Sequence, residues 1–269
     1  MQGQSYFQLI SPLIFLVFSC GFIVLWHFAR DIVALRVFAV SYFLGACGLL
    51  GDFLRPLMGV DVAIFTVNPL YIATAVTFSG AMFLFYRRRA PWRILAAIGL
   101  AMFAAMAWFR LGVDSISVRT LIMNGGGFVL FAYPAYALRR EMMRSVDRVL
   151  QALVFLNGLQ LLLRTLVIIW YEGDTLTSAN YAESLAAMTF QLSVSFAALA
   201  IAVNLFVMFG MEIVSGITET SHTDPLTGVF NRRGFDARIG EYAGEGLSGN
   251  HAVIVADIDR FKSINDRFG

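Results

Sequence analysis

The chain has 269 residues, of which 58% are hydrophobic and only 14% charged, with a mean hydropathy of +0.72. That balance excludes an ordinary water-soluble domain and points to an integral membrane protein embedded in a lipid bilayer. The formal net charge of +2 gives no footing for a nucleic-acid partner, and the two cysteines, Cys20 and Cys47, lie in apolar stretches without disulfide or metal-ligand spacing.

The first apolar stretch follows no positively charged n-region and precedes no small-residue cleavage site, so it reads as a retained anchor. A spanning helix needs about 20 mainly apolar residues. That window yields seven stretches: Leu9 to Ala29, Val33 to Leu54, Val62 to Tyr86, Trp92 to Phe109, Thr120 to Leu138, Val149 to Tyr171 and Ser184 to Met211. The fifth is interrupted by Gly125, Gly126, Gly127 and Pro134, breakers that a membrane bundle tolerates where neighbouring helices satisfy the backbone. Arg30, Arg36, Arg87, Arg88, Arg89, Arg93, Arg139, Arg140, Arg144 and Arg148 fall in or beside alternate connections, whereas the others hold only Arg55, Arg110 and Arg119. The positive-inside rule then predicts an outside N-terminus and a cytoplasmic tail. Trp26, Trp92, Trp108 and Trp170 fall at helix ends, as an interfacial aromatic belt requires.

The outer connections are too short for a folded extracellular sensor, so a stimulus must be read within the bilayer or at its surface. Candidate receptors among the polar residues inside the spans are Asp52, Asn157, Gln160, Arg164, Gln191 and Asn204. An ionisable residue at membrane depth is a functional candidate. Arg164, about 10 Å below the outer end of its helix, leads a candidate sensory site with Asn157 and Gln160 for a ligand still to be identified. Two structural readings stand beside it: Arg164 snorkels outward or pairs with Asp52 or Gln191, and Asn157 and Gln160 join helices through hydrogen bonds. His27 has no intramembrane histidine partner, which leaves haem unsupported.

Beyond the last span, Val207, Gly210, Val214, Ile217 and Ser221 alternate spacings of three and four, a short seam that suits a two-helix stalk or the packed face of one helix. Three regions follow: a transmembrane sensory domain over 1–211, a stalk over 212–223 and a soluble segment over 224–269. The soluble segment reads as an amphipathic helix from Arg232 to Tyr242, a Gly-rich loop, an apolar strand from Ala252 to Ala256, and then a charged segment opened by Asp257 and Asp259. Such a strand-to-helix junction suits a divalent metal and a phosphate, although strand-ending and helix-capping acids are also routine.

Asp224-Pro225-Leu226-Thr227-Gly228-Val229-Phe230-Asn231-Arg232-Arg233 has the form D-x-L-T-G-x-x-N-R-R. Asp257-Ile258-Asp259-Arg260-Phe261-Lys262-Ser263-Ile264-Asn265-Asp266 has the form D-x-D-x-F-K-x-x-N-D. Both runs resemble the start of a GGDEF domain, the catalytic domain of diguanylate cyclases, over Asp224 to Gly269. The resemblance implies a truncated α/β, nucleotide-cyclase or palm-like domain behind a seven-helix α-helical membrane bundle, in the inner membrane of a bacterium. It implies that two GTP molecules are condensed to cyclic di-GMP by a homodimer using Mg2+ or Mn2+. Asp257 and the carbonyl of Ile258 would hold the metal. The backbone amides of Arg260, Phe261 and Lys262 would meet the triphosphate, and Asn265 would contact guanine. Asp224, Arg232 and Arg233 would transmit the signal from the stalk, or serve only as local turn and ion-pair structure.

The family's Gly-Gly-(Asp or Glu)-Glu-Phe signature lies beyond the Asn-Asp run, and Gly269 precedes it. A chain of this length is therefore expected to be catalytically incomplete, and a longer one to be a cyclase. The rival expectation is a non-catalytic seven-helix receptor or transporter with a vestigial GGDEF tail.

Overall fold

A computed structural model describes residues 9–172, 175, 177, 184–220, 224, 227–244, 254, 256 and 259–268. The chain divides into two compact units, Met1–Met211 and Glu212–Gly269. Among the described residues seven helices are long and apolar enough to cross a membrane. They are α1 (Ile10–Phe28), α2 (Val33–Leu54), α3 (Val60–Phe85), α4 (Trp92–Leu111), α5 (Ile116–Ala137), α6 (Ser145–Glu172) and α7 (Leu185–Thr220), the last running on past the first unit. The Arg55–Leu57 turn of 3-10 helix joins α2 to α3.

Helix α2 is the hub, with Leu35, Phe38, Tyr42, Ala46 and Leu49 buried and its closest neighbours α1 and α3 on either side. Lipid tails are as apolar as leucine, so the helices are drawn together by dense packing and hydrogen bonds, not by escape from water. Small residues permit the close approach: a Cβ at Gly48 would come within 2.8 Å of the Tyr71 ring, and one at Gly51 within 2.8 Å of Val67. Helix α7 makes no comparably close backbone approach and is instead held by aromatic side chains. Phe206 packs on Phe22 with centroids 4.8 Å apart, and Phe209 lies 4.8 Å from Phe85. Such pairs contribute about 0.5–1.5 kcal/mol each beyond area burial. The Tyr42 hydroxyl, donating to the Ala198 carbonyl at 2.8 Å, ties α2 to α7 as well.

The interrupted fifth stretch is one continuous helix. Pro134 cannot donate to the carbonyl four residues back, that of Leu130, which would leave a buried acceptor unmet. Ser79 of α3 donates its hydroxyl to that carbonyl at 2.7 Å, so a neighbouring helix restores what the proline removes. Helix α5 also begins at Ile116, four residues before Thr120, because the Ser115 side chain accepts from the Val118 N–H at 3.4 Å and caps it there. Arg119 is therefore a buried helical residue and not a connection residue, which corrects the earlier boundary.

In the second unit, α8 (Arg232–Gly244) and α9 (Phe261–Phe268) are helical. Of the expected strand from Ala252 to Ala256, only Ile254 and Ala256 are described, neither lies in a regular element, and Ile254 is 91% exposed.

Candidate functional site

The second unit opens on a turn built around Asp224. Its N–H donates to the Val229 carbonyl at 2.8 Å, and its own carbonyl accepts from the Gly228 N–H at 2.9 Å. One carboxylate oxygen accepts from the Thr227 N–H at 2.9 Å and the Thr227 hydroxyl at 3.0 Å. Gly228, at φ 72°, occupies left-handed space that a side chain would strain. Asn231 then caps α8, its side-chain oxygen accepting from the Gly234 N–H at 3.0 Å. Arg232 and Arg233 are exposed in the first turn, where the helix dipole disfavours positive charge. Helix stability therefore does not account for the arginine pair.

Arg260 has φ 56° and sits directly before α9, so Arg260, Phe261 and Lys262 carry backbone N–H groups at the start of that helix. Those groups have no intrahelical acceptor and suit phosphate oxygens. Phe261 is 58% exposed, and Arg260 and Lys262 are exposed beside it. Asn265 lies within α9. Asp257 and Ile258, the expected metal donors, fall outside the described residues. Among the described residues no group of three or more His, Cys, Asp or Glu could hold a metal ion.

Asp52 accepts from Arg55 Nη2 at 2.6 Å and Nε at 3.0 Å, and from the Tyr71 hydroxyl at 2.6 Å. The Arg164 guanidinium lies 5.3 Å from the centroid of the Phe190 ring. Gln160 donates to Asn157 at 3.4 Å, a long bond, and only Asn157 of the three sensory candidates lines the cavity that opens inside the bundle. That cavity, of about 170 Å³, is lined instead by Asp52, Arg55, Asn68, Tyr71, Arg119 and Asn124 together with aromatic and aliphatic side chains. Asn68 and Asn124 are visible in the sequence as polar residues within spans, whereas Arg119 enters a span only because Ser115 caps α5 ahead of the hydropathic boundary.

A chain of ion pairs closes the same end of the unit. Arg110 bonds Asp61 at 2.6 Å and Asp114 at 2.7 Å, and Asp114 also accepts from Arg119. The Arg119 hydrogen bond, with Arg110 beside it, holds the Asp114 carboxyl below its ordinary value against the opposing effect of burial. At the other end Arg88 pairs with Glu141 at 2.7 Å, and the Tyr86 hydroxyl donates to Asp147 at 3.1 Å. Burial, then the Asp147 charge, push the Tyr86 phenol up, so it remains a donor.

These features define a polytopic helical membrane protein with a helix-opening, phosphate-suited segment after its last long helix. Residues 221–269 match the family described as diguanylate cyclase, GGDEF domain. No curated protein and no solved structure matches it.

Proposed function

We propose that the chain belongs to a membrane-anchored sensor diguanylate cyclase. The observation that carries this reading is the family match over 221–269 placed directly behind seven membrane-length helices. The proposed organisation is a sensory domain over 1–211, a stalk over 212–223 and the start of a GGDEF domain over 224–269. The arginine-rich connections support a cytoplasmic tail and an outside N-terminus in a bacterial inner membrane, the side on which GTP is available.

In the reaction proposed, the 3′-hydroxyl of each GTP attacks the α-phosphate of the other across a dimer, forming a new O–P bond as pyrophosphate leaves. Arg260, Phe261 and Lys262 orient the triphosphate through backbone N–H groups, and Asn265 selects guanine. Asp257 and the Ile258 carbonyl are hard oxygen donors of the kind that Mg2+ or Mn2+ takes. Such an ion, when bound, offsets the charge that develops on phosphoryl oxygens. Val207 of the expected seam is 49% exposed, and a Cβ at Gly210 would meet nothing within 4 Å, which leaves room at both positions for a second copy. Arg164, Asn157 and Gln160 remain the proposed sensory residues, and Asp224, Arg232 and Arg233 the proposed transmitters.

The test is turnover of GTP to cyclic di-GMP by native membranes carrying the full protein, with Mg2+ present. Asp257→Ala is expected to abolish product, at least about a thousandfold as for loss of a central charge-stabilising group, while the protein still inserts in the membrane. Product formation undiminished in Asp257→Ala would remove the metal assignment. Unchanged cellular output after deletion of 224–269 would favour the receptor or transporter reading.

A further inference from the structure

We propose that the cavity within the first unit binds a neutral, ring-sized molecule that donates a hydrogen bond, a phenol or an aryl alcohol, with the Asn124 side-chain oxygen as its acceptor. The Asn124 amide has one orientation open to it. Fully buried Thr165 gives its single hydroxyl proton to the Leu161 carbonyl at 2.8 Å, so toward Asn124 it can only accept, and it takes a bond from Asn124 Nδ2 at 2.7 Å. Asn124 Oδ1 is thereby turned away from Thr165, in a residue only 8% exposed that lines the cavity. Among the described residues no N–H or O–H donates to it.

Asn68 repeats the arrangement from α3. Its Nδ2 donates to Met106 Sδ at 3.0 Å, and a thioether has no proton to give, so Asn68 Oδ1 is the end left without a donor among the described residues. An unmet amide oxygen in apolar surroundings is costly, which favours an occupant that brings a proton. Asn157, the third amide of the lining, accepts from Gln160 at 3.4 Å and keeps its own Nδ2 for an acceptor. A hydroxyl supplies both roles.

The charges of the lining are already matched, which disfavours an ion. Asp52 accepts from Arg55 at 2.6 and 3.0 Å and from the Tyr71 hydroxyl at 2.6 Å, while Arg119 bonds Asp114 and the Phe109 carbonyl, the latter at 2.9 Å. A carboxylate would have to displace Asp52 or Asp114, and an ammonium one of the guanidinium groups, leaving a charge unpaired where little water screens it. A neutral molecule disturbs none of these bonds. Its body meets Phe15, Phe78, Phe131 and Phe190. The volume of about 170 Å³ is close to that of the engineered cavity that takes one benzene, which sets the ligand at one ring with a small substituent, about seven to nine non-hydrogen atoms.

The site does not depend on the cyclase reading, which enters only for what occupancy would report, so binding and turnover fail separately. The full chain in nanodiscs is titrated with 4-fluorophenol and followed by fluorine NMR, with empty nanodiscs giving the position of the lipid-dissolved signal. A separate bound resonance that saturates at one molecule per chain is expected. 4-Fluorotoluene, the same size without the hydroxyl, should bind about tenfold more weakly, the scale of one buried acceptor left unmet. 4-Fluorobenzylamine and 4-fluorobenzoate, both ionised near neutrality, should give no bound resonance, and neither should 4-fluoro-4′-hydroxybiphenyl, whose second ring exceeds the space. Asn124→Leu removes the oxygen at similar volume, so fluorophenol should lose its advantage over fluorotoluene. Because Asn124 also ties α5 to α6 through Thr165, a second site is varied, with the unfolding temperature reporting the fold. A Cβ at Gly127, which lines the cavity, meets only Leu161 at 3.5 Å, so Gly127→Ala should fold and bind while Gly127→Leu fills the space and abolishes the bound resonance. The proposal is overturned by the absence of a saturable resonance, which would leave the cavity to water only, or by equal binding of fluorophenol and fluorotoluene. Binding of either ion or of the biphenyl, an undiminished hydroxyl advantage in folded Asn124→Leu, or full binding by folded Gly127→Leu would overturn it as well.

Discussion

Asp114 is 54% exposed, yet it is the acceptor shared by Arg110 and Arg119. Its carboxyl is held below the ordinary value of 3.8, so its stabilising contribution is fully present above that value and is lost as pH falls through the lowered one. Wild-type protein in nanodiscs should therefore lose thermal stability below about pH 3.8, and Asp114→Asn should start lower and show a shallower acid limb. A second residue-scale test lies in the other unit: Asn231→Ala removes the cap on α8 and is expected to cost about 1 kcal/mol, read as faster amide exchange over 232–244. Single residues were unevenly legible. The turn and cap chemistry at Asp224, Gly228 and Asn231 is local, and those types in that order already imply a turn followed by a helix. The pairing of Asp52 with Tyr71, 19 positions away on another helix, depends on how α2 and α3 pack, which no run of sequence states.

Helices were the most readable scale, because a lipid-facing helix must be apolar for its whole crossing and the bilayer enforces the length. Their ends moved where capping overrode hydropathy, as at Ser115, and α5 survived three glycines and a proline because α3 supplied the missing donor. That rescue is measurable. Ser79→Ala leaves the Leu130 carbonyl buried and unmet and should cost about 1–3 kcal/mol in a reversible unfolding assay. In a Pro134→Ala background the helix regains its own N–H, so the same serine change should cost about 1 kcal/mol or less. Equal costs in both backgrounds would refute the coupling.

At the scale of the whole molecule, the sequence motifs and the family match agree over 221–269, while the interior cavity came only from the structure. Asp52, Asn68, Arg119 and Asn124 are scattered over three helices, and their convergence follows from packing, not spacing. Phe190, Val194, Ala198 and Ile201 also line that cavity, and all four belong to α7, which runs as one helix of 36 residues, about 54 Å, to Thr220. An unbroken rod of this kind makes angular phase a property of the protein. Inserting one residue after Ser215 turns the rest of the helix by about 100°, whereas inserting seven brings it back to within about 20°. On the proposed cyclase reading, cyclic di-GMP output should fall with one inserted residue, return with seven, and oscillate between them with the period of the helix.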